Sequence, residues 1–175
     1  MAATLKASVR VELTATQRGA NDFDSGGAFA PKVASTLSFA NGTGAGQSNL
    51  LFTDERTVGS GANDDIDLAG VLTDVFGATL TFVEITGVIV INAPKSGPAN
   101  TTNLTIGNAA SPFVGFLGGT TPTIGPLRPG AVFAIAAGDA AGLGAVTPTS
   151  ADLLRVANSA GASAVYQIAI LGRSA

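Results

Sequence analysis

The clearest order in the chain lies at its start. Leu5, Ala7, Val9, Val11, Leu13 and Ala15 alternate with Lys6, Ser8, Arg10, Glu12, Thr14 and Thr16. Successive side chains of a strand point to opposite faces, so a period of two predicts a strand with one apolar, buried face and one solvated face. Val33, Leu37 and Phe39 resume the alternation against Lys32, Thr36 and Ser38. Between the two runs, the Asn, Asp, Ser and Gly residues of 21–27 read as a loop, and Asn41-Gly-Thr-Gly-Ala-Gly46 closes the second run as a flexible turn.

Further along, Leu50 to Phe52 reads as a short strand, and Ile66 and Leu68 alternate with Asp65 and Asp67. The spacing then changes. Leu68, Val71, Leu72, Val75 and Phe76 recur at helical intervals, with Asp67 placed as an N-cap and Gly77 as a stop, which predicts a short helix at 69–76. A long strand is expected over 80–92, with a bulge or bend where the apolar phase changes between Phe82 and Val83. Its segment Val88-Ile-Val-Ile91 is apolar on both faces, as in a strand covered on both sides.

Pro94 to Pro98 reads as a turn, and shorter strands are expected at 102–106, 113–117, 131–137, 152–157 and 163–171. In the last of these, Tyr166, Ile168 and Ile170 face one way. The segments 125–130 and 138–150 read as loops. Some eight or nine short strands punctuated by Gly and Pro predict an all-β, single-domain β-sandwich, jelly-roll-like in strand count. It would span residues 1–175, with 1–50 as an N-terminal strand or arm that contacts neighbours.

Composition sharpens this picture. Of the 175 residues only 12% are charged, against about 25% in an ordinary domain. The hydrophobic share is nevertheless 46%, and 23 residues are Gly. A surface poor in charge is cheap to desolvate, which suits a protein covered in an assembly and also a plain all-β domain with many Gly turns. The net charge is −3, with nine Lys and Arg scattered along the chain, so no basic footprint for nucleic acid is present. The N-terminal residues lack the apolar core of a signal peptide, and no apolar run approaches the roughly 20 residues of a membrane span. The expectation is a soluble chain that binds neither nucleic acid nor membrane.

The chemistry available is narrow. With no His and no Cys, Ser-His-Asp triads, Cys-His pairs, disulfides and ordinary zinc sites are all excluded. Glu12, Glu55 and Glu84 remain as carboxylates for a glycosidase, but Glu12 falls on the polar face of its strand and no Trp exists to stack a sugar. Phe113, Phe116 and Tyr166 are the aromatics that could line a binding site. The densest acidic region holds Asp54, Glu55, Asp64, Asp65 and Asp67. Asp64, Asp65 and Asp67 are candidate calcium ligands by their oxygen chemistry, yet the EF-hand spacing is absent and turn or capping roles explain them as well. Gly42-Thr-Gly-Ala-Gly46 lacks the βαβ setting of a dinucleotide loop. No catalytic residue and no cofactor are expected.

Three stretches carry a likeness. Leu51-Phe-Thr-Asp-Glu-Arg-Thr-Val58, the segment from Asp65 to Phe82, and the ending Ala151 to Ser159 with Tyr166 to Ser174 together resemble small virion proteins of tailed bacteriophages. These are packing and turn patterns, and the first fifty residues have no part in the likeness. The resemblance implies a structural protein of the particle, made in the host cytoplasm and carried on the virion. Within that family the reading is a head decoration, or cement, protein bound to the major capsid protein and to copies of itself as a homotrimer. A tail-tube or tail-tip component, or a receptor- or carbohydrate-binding module of the particle, is the alternative. Val88, Ile89, Val90 and Ile91 are the expected interface residues, through whichever face the core does not use.

Overall fold

The computed structural model describes residues 4–19, 27–118 and 122–175, and among these it contains strands and turns but no helix. The predicted loop over 21–27 lies, but for Gly27, outside the described residues. The strands are β1 (Ala7–Thr14), β2 (Gln17–Gly19), β3 (Gly27–Phe29), β4 (Lys32–Phe39), β5 (Leu50–Val58), β6 (Asn63–Asp67), β7 (Leu72–Thr73) and β8 (Thr79–Leu80). They continue with β9 (Glu84–Ile91), β10 (Leu104–Gly107), β11 (Thr123–Leu127), β12 (Val132–Ala136), β13 (Gly144–Ala145), β14 (Leu153–Asn158) and β15 (Ala164–Arg173).

Two sheets form the body. One runs β12-β9-β15-β5, with β13 also paired to β9; the other runs β11-β10-β14-β6. Every pairing is antiparallel, and the pairs nest: β5 with β15, β6 with β14, β9 with β12, β10 with β11. Both sheets feed one core. Phe52, Val88, Val90, Tyr166, Ile168 and Ile170 enter it from the first, and Ile66, Leu104, Ile106, Leu154 and Val156 from the second. Tyr166, Ile168 and Ile170, expected only to face one way, share a buried face.

Several expectations change. The predicted helix at 69–76 is instead the β7–β8 hairpin, pairing Leu72 with Leu80 and Thr73 with Thr79. Asp67 accepts a hydrogen bond from the Ala69 amide (2.8 Å), but this closes only a turn. Asp74 then accepts from the amides of Phe76 (2.8 Å) and Ala78 (2.9 Å), offering the backbone a hairpin turn in place of a second helical turn. Gly77 completes that turn at φ 84°, where a side chain would be strained. A segment of two turns flanked by glycines, with Val71, Thr73 and Val75 β-branched, has too little to offset helix nucleation.

The long strand expected over 80–92 is broken at its phase change: β8 ends at Leu80, Phe82 drops into the core, and β9 begins at Glu84. The approach there is close, since a Cβ on Gly172 would stand 2.3 Å from the Glu84 carbonyl oxygen. No strand forms at 113–117, where Pro112, Gly115 and a turn from Val114 to Leu117 bring Phe113 inward. Conversely, the 125–130 loop begins inside β11. That strand is an edge of its sheet, where the missing amide of Pro126 leaves no ladder bond broken.

Among the described residues, the strands of the N-terminal region pair only with one another. β1 and β4 form a two-stranded ribbon from Ala7↔Phe39 to Thr14↔Lys32, and β2 and β3 extend it. This arm joins the body near Gly46, whose amide donates to the Gly138 carbonyl (2.7 Å).

Candidate interaction surface

The pleat divides the expected interface residues. Val88 and Val90 point into the core and are fully buried, whereas Ile89 and Ile91 point outward and are half-buried. Register fixes their neighbours on that outer face. Thr53, Ala169, Ile89 and Ala134 form one row across β5, β15, β9 and β12; Glu55, Gln167, Ile91 and Val132 form the next. Leu51 and Leu171 begin a third row, beside Gly87 and Ala136. The face is therefore mostly apolar or small, with Val132 62% exposed at its edge. A groove of about 550 Å³ lies over it, walled by Asp54, Glu55, Lys95 and Gln167 and floored by Ile89, Ile91 and Ala169.

The arm presents a second apolar face. Cross-strand register puts Ala7, Val9, Val11 and Leu13 on one side with Phe39, Leu37, Ser35 and Val33. Arg10, Glu12 and Lys32 lie on the other, where Glu12 pairs with both cations. At the root this apolar face is covered: Phe39 is buried, and Lys6 to Val9 close a cleft of about 230 Å³ against Leu51, Ile89 and Leu171. Beyond the root no described residue covers it. Val11, Leu13 and Val33 are 55%, 60% and 70% exposed, contrary to the buried face expected for this strand. A lone two-stranded ribbon is marginal in water, so an uncovered apolar ribbon lacks most of what stabilises a sheet. Val71, Val75 and Phe76, placed at helical spacing by the sequence, stand exposed around the β7–β8 turn.

The charged residues serve the framework. Arg56 of β5 grips Asp64 of β6 through Nε–Oδ2 (2.7 Å) and Nη2–Oδ1 (2.8 Å), tying the two sheets together. The buried Tyr166 hydroxyl donates to the same carboxylate at 2.7 Å. Burial pushes the Asp64 carboxyl upward, but the bonds from Arg56 and Tyr166 and the guanidinium charge outweigh it, holding the carboxyl below its usual range. Burial, then the bond to Asp64, drives the Tyr166 phenol well above its ordinary value, so it stays protonated. Asp65, on the opposite face of β6, takes a two-point grip from Arg155 at 2.6 and 2.7 Å. The three candidate calcium ligands therefore do not converge: strand parity separates Asp64 from Asp65, and Asp67 is committed to the Ala69 amide. Among the described residues no cluster of three or more carboxylates could hold a metal ion.

Glu12, Glu55 and Glu84 are likewise dispersed. Glu12 is on the arm, Glu55 accepts from the Lys95 amide, and Glu84 meets Arg173 at 2.7 Å. Arg173, which the sequence does not single out, is fully buried. It also donates to the carbonyls of Gln47 (3.0 Å), Ala140 (2.8 Å) and Asp139 (2.7 Å), bracing the end of β15 against the arm root and the 138–142 loop. Phe113 and Tyr166 are buried, and Phe116 packs between Phe113 and Phe133 at 5.8 and 5.6 Å, so these aromatics build the core and not an open platform.

No helix among the described residues is long and apolar enough to cross a membrane. No family model matches the chain, and neither the curated proteins nor the solved structures include a match.

Proposed function

We propose that the chain is a structural protein of a bacteriophage particle, most specifically a decoration protein that binds the outer head surface and stabilises the shell. The observation that carries this reading is the uncovered apolar arm, standing on a body whose outer sheet face is also apolar. Surfaces of this kind mark association, because a monomer in water gains nothing from leaving them open. The ion pairs described above, meanwhile, brace strands and turns, as suits a scaffold.

The topology supports the finer fold reading too. Two sheets over one core are the halves of a β-sandwich. The nested pairing of first with eighth, second with seventh, third with sixth and fourth with fifth body strand is the order of a jelly roll. That architecture recurs in viral capsid proteins, among other proteins, so it adds weight only by analogy. The particle supplies partners of two kinds, the major capsid protein and further copies of this chain arranged as a trimer.

The test is to image particles that carry the labelled protein and to add purified protein to particles that lack it. Hundreds of copies on the head surface, with heads more resistant to heat, are expected. A few copies at the tail, or rings and tubes formed without heads, would replace decoration with a tail role. No retention on any particle would remove the virion reading.

A further inference from the structure

We propose that the distal arm of one copy, through Val11, Leu13 and Val33, docks on the outer sheet face of a second copy, over Ile89, Ile91 and Ala169. This deepens the self-association part of the function proposed above by naming the two surfaces that meet.

Continuity is the first argument. The apolar face of the arm already packs at its root against the body, where Lys6 to Val9 lie over Leu51, Ile89 and Leu171. The same face then runs past the body and stays open at Val11, Leu13 and Val33. The root reaches one side of Ile89 and Ala169, and the groove on their other side, over Ile91, is the part of the outer sheet face left free. Docking a neighbour's ribbon there covers both of these apolar surfaces with one contact.

Charge is the second argument. Residues 1–49 carry four basic side chains (Lys6, Arg10, Arg18, Lys32) against three acidic ones, whereas residues 50–175 carry five against nine. At the groove itself Glu55 stands beside Lys95 and Asp54 is paired with Arg56, so the acidic excess belongs to the body as a whole. An arm with a slight positive excess approaching an acidic body is attracted, and the attraction weakens with salt.

Area sets the strength. An eight-residue ribbon is about 26 Å long and about 10 Å wide, a footprint of roughly 260 Å². One arm given and one received per subunit, as in a closed ring, amounts to roughly 500 Å² of footprint, below the roughly 1,200 Å² at which stable specific interfaces begin. Association should therefore depend on concentration and need closure of the ring.

The absence of native cysteine makes a direct test available. One preparation carries Leu13→Cys and a second, differently tagged, carries Thr53→Cys, both exposed positions. After mixing, a short bismaleimide linker should join the two tags, and far more than when Thr36→Cys on the arm's polar face replaces Leu13→Cys. Adding Val33→Asp to the arm chain should reduce the mixed product about tenfold, the loss expected when an interface contact worth about 1.4 kcal/mol is removed. No mixed product above the Thr36→Cys control overturns the proposal. Efficient joining within single chains of a Leu13→Cys/Thr53→Cys double variant in dilute solution does so as well, because the arm would then be covering its own body. If cross-linking fails while the protein still binds particles, arm exchange is wrong and the virion reading stands; the reverse pattern keeps arm exchange and removes the virion.

Discussion

Strand β1 of the arm and strand β15 of the body both alternate apolar and polar or small residues, and both lie in antiparallel ladders. In β15 the alternate residues Tyr166, Ile168 and Ile170 are buried against the opposite sheet. In β1 the equivalent residues Val11 and Leu13 face open space. The ladders of β15 run to β5 and β9 and lock it at the centre of its sheet, whereas β1 has β4 alone. A strand's pattern states which face wants cover. Whether that cover comes from the same chain is decided by the rest of the fold, and here the second sheet reaches β15 and not the arm.

The contrast predicts unequal responses to substitution. The largest loss should follow Arg173→Met, which strands Glu84 and the carbonyls of Gln47, Asp139 and Ala140 in a buried site. Breaking such a pair from one side costs about 3–5 kcal/mol, readable as a lower denaturant midpoint. Tyr166→Phe should cost about 1 kcal/mol, since one bond to Asp64 is lost while the ring still fills the core. If it proves neutral, the Arg56–Asp64 clamp alone holds that corner.

Acid should act through the same corner. The folded Asp64 carboxyl sits below its unfolded value, so its contribution is present above about pH 3.9 and is lost as pH falls through the lowered folded value. The parent should therefore lose stability toward Asp64→Asn as pH falls below about 3.9, with the two unfolding midpoints converging once pH passes the lowered folded value. A constant gap between them would contradict the assignment. The smallest effect on folding belongs to the arm. Leu13→Ser with Val33→Ser should change the unfolding free energy of the monomer by no more than about 0.5 kcal/mol, as for other exposed positions, while abolishing association. A loss comparable to a core substitution would mean that the arm is packed on its own body.

Much of this was legible in the sequence. Alternation located β1, β4 and β15 and grouped Tyr166, Ile168 and Ile170 on one face, and the doubly apolar run at 88–91 marked a strand with a second face to cover. The 69–76 segment misled because five apolar residues at helical spacing fit a helix in one dimension, while Asp74 and Gly77 had the chemistry of a tight turn. The ionic framework was hidden for a different reason. Tyr166 and Asp64 stand 102 positions apart and Arg173 and Glu84 stand 89 apart, so no local pattern reports their meeting.

The central claim is that the arm's apolar face is an association surface. Amide hydrogen exchange, resolved by residue over a range of protein concentrations, tests it most directly. The account predicts that β15 is protected at every concentration, while protection of residues 9–14 and 32–37 is low in dilute solution and rises as copies associate. Arm exchange that stays fast at all concentrations, or that matches β15 in the dilute monomer, would contradict it.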